Sequence, residues 1–425
     1  MKYSIVTFGC RVNQADSLAI EGDLRARGAT CAAPEEAELL IVNTCSVTCT
    51  ADQGARQTIR RIVRSNPGIN VVVTGCYATR RPDELRALPN VAHVIRNDSK
   101  DTLIEDVFGV DARFGDGDGD GPCGAPLAPG VAGRTAFTLR VQTGCDEHCS
   151  YCIIPKTRGA GRSRALDDVL RDVGHAVASG YKEIVITGVH LGSYGRDRAE
   201  SDLKPRATPA VAGPGFSRAH ASLEALVGRL AAWPDDVLFR ISSLEPMDCT
   251  PALVDLIAGS MRLAPHFHLP LQHGSDDMLA AMRRPYTARD YRSLVERIAT
   301  RMPHASIGTD VIVGFPGEQE AHFEETRSLL ADLPLSHVHV FPYSDRPGTD
   351  ASRLTRKVDG VTIRARGGEL RSIGAALSRR FRAAQSGTVR RALTVDDGWS
   401  AVTDNYVKVG LDAQHARNEW ITVAL

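Results

Sequence analysis

Ten cysteines stand in this 425-residue chain, and their spacing carries its clearest chemical signal. Three fall in the run Cys145-Asp146-Glu147-His148-Cys149-Ser150-Tyr151-Cys152. Thiolates this close can each hold one iron of a [4Fe–4S] cube and leave the fourth iron open to a ligand. The rival is a zinc site completed by His148 or a distant cysteine. Tyr151 just before Cys152, and the β/α alternation that follows, favour iron. A second set is spread out: Cys10, Cys45 and Cys76 each lie within a few residues of the end of an expected strand. In a parallel sheet such ends lie side by side in the crevice where ligands bind. The three could hold a second cluster, or they could be small buried residues, as cytosolic cysteines often are. Cys31, Cys49, Cys123 and Cys249 lack such placement; Cys49, four residues past Cys45, could be a spare thiol near that second set but reads as structural.

The elements that must position these residues follow from hydrophobic periodicity. Residues 1–110 read as a small parallel α/β domain, with strands at Lys2–Phe8, Glu38–Val42 and Asn70–Thr74 and helices at Gln14–Arg27 and Ala51–Arg64. Residues 111–134 read as an acidic Gly/Pro linker. Asp116, Asp118, Asp120 and Gly121 mimic the start of a calcium loop, but Leu127 stands where a bidentate Glu is required. From 135 to 370, strands at Ala136–Val141, Glu183–Thr187, Val237–Ile241, His266–Leu269, Ser306–Val313 and His337–Phe341 alternate with helices. The helices are expected at Ala165–Ser179, Ser222–Trp233, Pro251–Ser260, Arg289–Arg301 and Glu318–Ala331. Six such units make a partial (β/α)6 barrel with its chemistry at the carboxyl ends of the strands, and 196–221 is a surface insertion. Residues 371–425 read as a basic helix and a short β module.

Composition bounds the reading. Lys+Arg and Asp+Glu both number 51, so any surface for nucleic acid must be local. One such concentration is 353–391, with eleven basic residues against Asp359 and Glu369; Arg56, Arg60, Arg61 and Arg64 form a smaller one. No stretch reaches the ~20 apolar residues of a membrane span. The start of the chain lacks the pattern of a secretory signal, so a cytoplasmic location is expected, where spaced cysteines serve metals or catalysis.

The Cys145–Cys152 spacing resembles that of the radical S-adenosylmethionine (SAM) superfamily. Thr7-Phe8-Gly9-Cys10-Arg11-Val12-Asn13-Gln14, Asn43-Thr44-Cys45-Ser46-Val47-Thr48 and Thr74-Gly75-Cys76 resemble the N-terminal domain of the methylthiotransferases. The match continues through Arg158-Gly159, Arg240–Pro246, His268–Ser275, Gly308–Glu318 and Phe341–Thr349. The resemblance implies two [4Fe–4S] clusters, one on Cys145, Cys149 and Cys152 and an auxiliary one on Cys10, Cys45 and Cys76. It also implies two uses of SAM, as methyl donor and as source of a 5′-deoxyadenosyl radical. Val12-Asn13-Gln14 and Asn43–Thr48 look most like the branch that modifies threonylcarbamoyladenosine in tRNA. The patterns usual for the isopentenyladenosine and ribosomal-aspartate branches are missing, though both stay as alternatives. A third alternative is a non-catalytic, zinc-bearing RNA-binding protein.

Ser242, Ser243, Glu245, Gln272 and Asp310, at or past strand ends, are candidate SAM contacts, unless they merely cap the helices that follow. His268 and His273 read as packed or substrate-facing rather than as metal ligands. Gly398–Val409 resembles part of the RNA-binding TRAM domain, in a tail short enough to be truncated. The expected partners are tRNA and an unidentified electron-donor protein, with no membrane and no DNA, and the chain is expected to be a monomer.

Overall fold

The computed structural model describes residues 1–46, 49–114, 135–198 and 222–425; of Cys49 and Thr50 it describes the backbone alone. Most of the expected linker and insertion, the calcium-loop mimic, Cys123, and Val47-Thr48 of the second cysteine motif lie outside the described residues. The chain divides into two compact units. The first joins the N-terminal residues to Thr143–Glu147 and Ile153–Ala160, and the second holds the remainder of the described chain.

The first unit is built on a five-stranded parallel sheet in the order β2-β1-β3-β4-β5. Its strands are Lys2–Thr7 (β1), Thr30–Cys31 (β2), Leu39–Thr44 (β3), Asn70–Gly75 (β4) and Val91–Val94 (β5). Every residue of β3 is buried, because both faces of the sheet are covered. Leu40, Val42, Val71 and Val73 pack against Ala55, Ile59 and Ile62 of the helix Cys49–Ser65. Leu39, Ile41 and Val72 pack on the other face against Ile20 and Leu24 of the helix Arg11–Ala26 and against Leu103 and Ile104. That helix begins three residues before its expected start. Gly9 turns the chain at a φ of 94°, so Cys10 can stand as the N-cap.

In the second unit β6 (Phe137–Arg140) is followed by the two-residue strands β7 (Gln142–Thr143) and β8 (Arg162–Ser163), the first of which straddles the division. Then come β9 (Glu183–Thr187), β10 (Leu238–Ile241), β11 (His266–His268), β12 (Ser306–Val313) and β13 (His337–Pro342). β6, β9 and β10 form one parallel sheet and β11, β12 and β13 another. Isolated parallel bridges, Phe239 to Leu263 and Ser243 to His268, link β10 to the β11 segment, so six strands run in sequence order as an open barrel. The helix expected from Glu318 begins at Glu320, because the Glu318 carboxylate is used to accept the Gly314 N–H at 2.7 Å. A 26-residue helix, Gly360–Gln385, leads to an antiparallel sheet. Its strands, Val389–Val395 (β14), Ser400–Thr403 (β15), Lys408–Gly410 (β16) and Trp420–Ala424 (β17), lie in the order β16-β15-β14-β17. No helix among the described residues is long and apolar enough to cross a membrane.

Candidate iron–sulfur and SAM site

In the first unit the strand order reverses between β1 and β3, which makes a crevice at their carboxyl ends. Cys10 follows β1, Cys45 directly follows β3 and Cys76 directly follows β4. None of the three is in a disulfide; Cys45 and Cys76 are buried and Cys10 is exposed. Two glycines bring the loops together. A Cβ on Gly9 would lie 2.5 Å from Cys45 Sγ, and one on Gly75, at a φ of 102°, would lie 2.1 Å from the Thr44 carbonyl oxygen. Asn13 fastens the same loops by donating to the Phe8 and Thr44 carbonyls at 2.8 and 2.9 Å.

A cation stands against these thiols that the spacing of cysteines could not announce. The Arg158 guanidinium hydrogen-bonds Cys76 and lies within electrostatic reach of Cys10. Burial works against its charge, but Asp16 and then the two thiols hold its pKa above the ordinary value. Arg158 Nη2 and Lys100 Nζ both reach Asp16 Oδ2, at 3.1 and 2.9 Å, inside a pocket where none of the three side chains is more than 2% exposed. Asn97 Nδ2 approaches Cys76 Sγ at 3.6 Å and donates to the Thr157 carbonyl at 2.8 Å. Three thiols at a ligand-binding crevice beside a buried cation fit an anionic iron–sulfur group. Arg158 appeared in the sequence only as part of a motif, and Asp16, Asn97 and Lys100 carried no signal at all.

The other three cysteines fall in one loop that crosses the unit division. Cys145 belongs to the first unit, where its N–H bonds the Gly159 carbonyl at 3.1 Å. Gly144 makes room for that approach: a Cβ there would lie 1.8 Å from the Ala160 carbonyl oxygen. Cys149 and Cys152 belong to the second unit. Arg284 Nη1 donates to Cys149 Sγ at 3.1 Å, while its other nitrogens engage Glu245 and Tyr286. Burial opposes the Arg284 charge, yet Glu245, followed by Tyr151, Tyr286 and Cys149, holds its pKa above the ordinary value. Tyr151, Ile312 and Tyr343 pack against Met278, Met282 and Phe315 in an apolar wall.

The matching family descriptions divide the chain in the same way. Residues 2–96 match the Uncharacterized protein family UPF0004, and residues 139–330 match the Radical SAM superfamily. Along its length the chain is 34% identical to the threonylcarbamoyladenosine tRNA methylthiotransferase MtaB of Aquifex aeolicus, over 96% of this chain and 96% of that one. The chain belongs to the radical SAM methylthiotransferases. It is also 34% identical to the tRNA-2-methylthio-N(6)-dimethylallyladenosine synthase of Carboxydothermus hydrogenoformans, over 84% of this chain and 79% of that one. In fold it is similar to the radical SAM methyltransferase TsrM of Kitasatospora setae, with a TM-score of 0.57 at 15% identity over 83% of this chain and 77% of that one. SAM and [4Fe–4S] clusters are the cofactors of this methylthiotransferase.

The five candidate SAM contacts sit in different surroundings. Ser242 is buried and its Oγ donates to Thr187 Oγ1 at 3.1 Å, whereas Ser243 is exposed. Glu245 is paired with Arg284. Gln272 adopts a left-handed φ of 67° and bonds strand β12 through its backbone. Asp310 stands in the middle of β12 rather than past its end, between His268 and His339. His273 is packed, as expected: Nδ1 accepts the Ser275 N–H, and Nε2 faces Glu318 at 3.4 Å. Of the unplaced cysteines, Cys31 is exposed at the sheet edge and Cys249 is buried, its thiol pushed up to about 12 by burial and by Asp248.

Proposed function

We propose that this methylthiotransferase adds a methylthio group to C2 of N6-threonylcarbamoyladenosine at position 37 of tRNA, using one SAM as methyl donor and another as radical source. The observation that carries the reading is the near end-to-end likeness to an enzyme of that name. Cys145, Cys149 and Cys152 would hold the cluster that opens to SAM, and Cys10, Cys45 and Cys76 the auxiliary cluster. When bound, these groups supply the one-electron and radical chemistry that no side chain can supply.

The polypeptide contributes charge, position and dryness. Arg284 and Arg158 each set a buried cation beside the thiols of one cluster site, where it offsets the negative charge that a bound cluster would bring. The apolar wall that includes Tyr151, the neighbour of Cys152 in the chain, would help keep that side of the site dry. Ser242, Ser243, Glu245 and Gln272 are assigned to SAM. Adenine C2–H is not acidic, so a general base has nothing to gain there and the site needs none. The tRNA backbone is assigned to the basic helix Gly360–Gln385, and the β14–β17 sheet, likened to a TRAM domain, would assist it. The chain works in the cytoplasm as a monomer, takes electrons from a separate protein, and binds neither DNA nor membrane. The likeness to the dimethylallyladenosine enzyme keeps isopentenyladenosine as a second substrate reading.

Iron and sulfide content of protein prepared without oxygen tests the assignment. About eight irons are expected, falling to about four in a Cys145→Ala/Cys149→Ala/Cys152→Ala variant that stays brown. Zinc without iron would mean a non-catalytic RNA-binding protein. Four irons that vanish in the variant would remove the auxiliary cluster, and the methylthio reaction with it.

A further inference from the structure

Four polar side chains gather on one face of the last three barrel strands. Asp310 of β12 and His339 of β13 are register partners, and His268 of β11 lies opposite Gly308, two residues earlier on β12. The helix Gly360–Gln385 covers the other face of β13, where Gly374 lies against Val338, so His337 and His339 point away from that helix. The three imidazoles lie 5.1–5.8 Å apart, centre to centre. Gly308 makes the room: a Cβ there would lie 2.0 Å from His337 Cε1.

The detail that decides is Asp310 Oδ1. It is shut off from solvent and lies 3.0 Å from His268 Nε2 and 3.5 Å from His339 Nδ1, yet neither approach is aligned as a hydrogen bond. A buried carboxylate oxygen beside two ring nitrogens ordinarily takes an aligned N–H. Ligands of one metal do otherwise. With bonds of about 2.0–2.2 Å in a tetrahedron, neighbouring ligand atoms sit roughly 3.3–3.6 Å apart and aim at a shared point rather than at each other. One ligand atom each from His268, Asp310 and His339 lies within 4.8 Å of the other two. A modest closure of the two imidazoles completes the set.

We propose that His268, Asp310 and His339 bind one divalent transition-metal ion of the zinc type, separate from the cysteine sites. Two imidazoles and a carboxylate suit such an ion better than they suit calcium or magnesium, which prefer oxygen alone. Three protein ligands leave a fourth position for water or for an oxygen of a bound molecule, the pattern of an open rather than a structural zinc site. His339 is 57% exposed, which gives the ion a way in. The assignment takes Asp310 out of the SAM set and reverses the expectation for His268. It does not depend on which nucleoside is the substrate.

The test uses the full chain with its clusters loaded, stripped by a chelator and then dialysed against a known concentration of zinc. One zinc per chain is expected, with a Zn K-edge shell of nitrogen and oxygen and no sulfur. A His268→Ala/Asp310→Asn/His339→Ala variant should keep its iron and sulfide and lose that zinc. Absence of zinc from the wild type, a sulfur shell, or a variant that keeps its zinc would overturn the proposal. If the triple variant loses iron as well, His339→Ala decides, since that side chain is largely in solvent. Zinc affinity at least about tenfold weaker with iron unchanged supports the site, and unchanged affinity refutes it.

Discussion

At the scale of single residues, two buried cations do what cysteine spacing cannot. Arg158 has Asp16 on one side and Cys76 on the other, with Lys100 sharing the same carboxylate. Removing one member of a buried ionic group leaves a charge without its partner, at a cost of about 3 kcal/mol when part of the group survives. Arg158→Gln should therefore destabilise the cluster-free chain by that amount in urea titrations, and Arg158→Lys by less. Glu318 makes a prediction about pH. Burial pushes its carboxyl up, but the neighbouring His273 ring, the Gly314 N–H and Arg366 outweigh it and hold the pKa below the ordinary value. The stability it confers is complete above the ordinary carboxylate range and is lost as pH falls through its lower folded value. Wild-type stability should therefore decline through that acid window, and Glu318→Gln should flatten the decline in denaturant titrations. Among the candidate site residues, the cysteines were legible because each follows a strand or a neighbouring cysteine. Asp16, Lys100 and Arg158 were not, because they meet only through tertiary contacts across 84 and 142 positions.

At the scale of elements, local periodicity reached far. β9 and β12 begin and end where alternation placed them, and the other barrel strands differ by a residue or so. β5 was missed for a physical reason: in Val-Ala-His-Val the middle pair is exposed and the flanking valines are half-buried, so the segment shows no buried run. The two residues of β2 are too few to show a period. The long C-terminal helix carries the clearest prediction of this scale. Arg364, Arg371, Arg379 and Arg382 are exposed and spaced seven, eight and three residues apart, which a helix brings to one face. Arg366 and Arg380 point elsewhere, into Glu318 and Glu320 and onto the Leu333 carbonyl. Replacing the four exposed arginines with alanine should weaken tRNA binding and flatten its salt dependence, by about one in log–log slope for each phosphate that is no longer neutralised. The same change at Arg366 should act on stability instead.

At the scale of the whole molecule, the two units each bring cysteines to the carboxyl ends of parallel strands, and one loop, 143–160, alternates between them. A neutral chain with a basic helix face is consistent with an enzyme that holds a polyanion locally without attracting nucleic acid over its whole surface. The likeness to two tRNA-modifying activities at 34% identity each leaves the nucleoside as the point on which the functional reading turns. The direct measurement is an oxygen-free reaction of cluster-loaded protein with SAM, a chemical reductant and two tRNAs, one carrying threonylcarbamoyladenosine at position 37 and one carrying isopentenyladenosine, followed by mass spectrometry of the released nucleosides. A methylthio group on the first nucleoside and none on the second is the expected result. A methylthio group on the second alone, or on neither while both clusters are intact and SAM is cleaved, would contradict it.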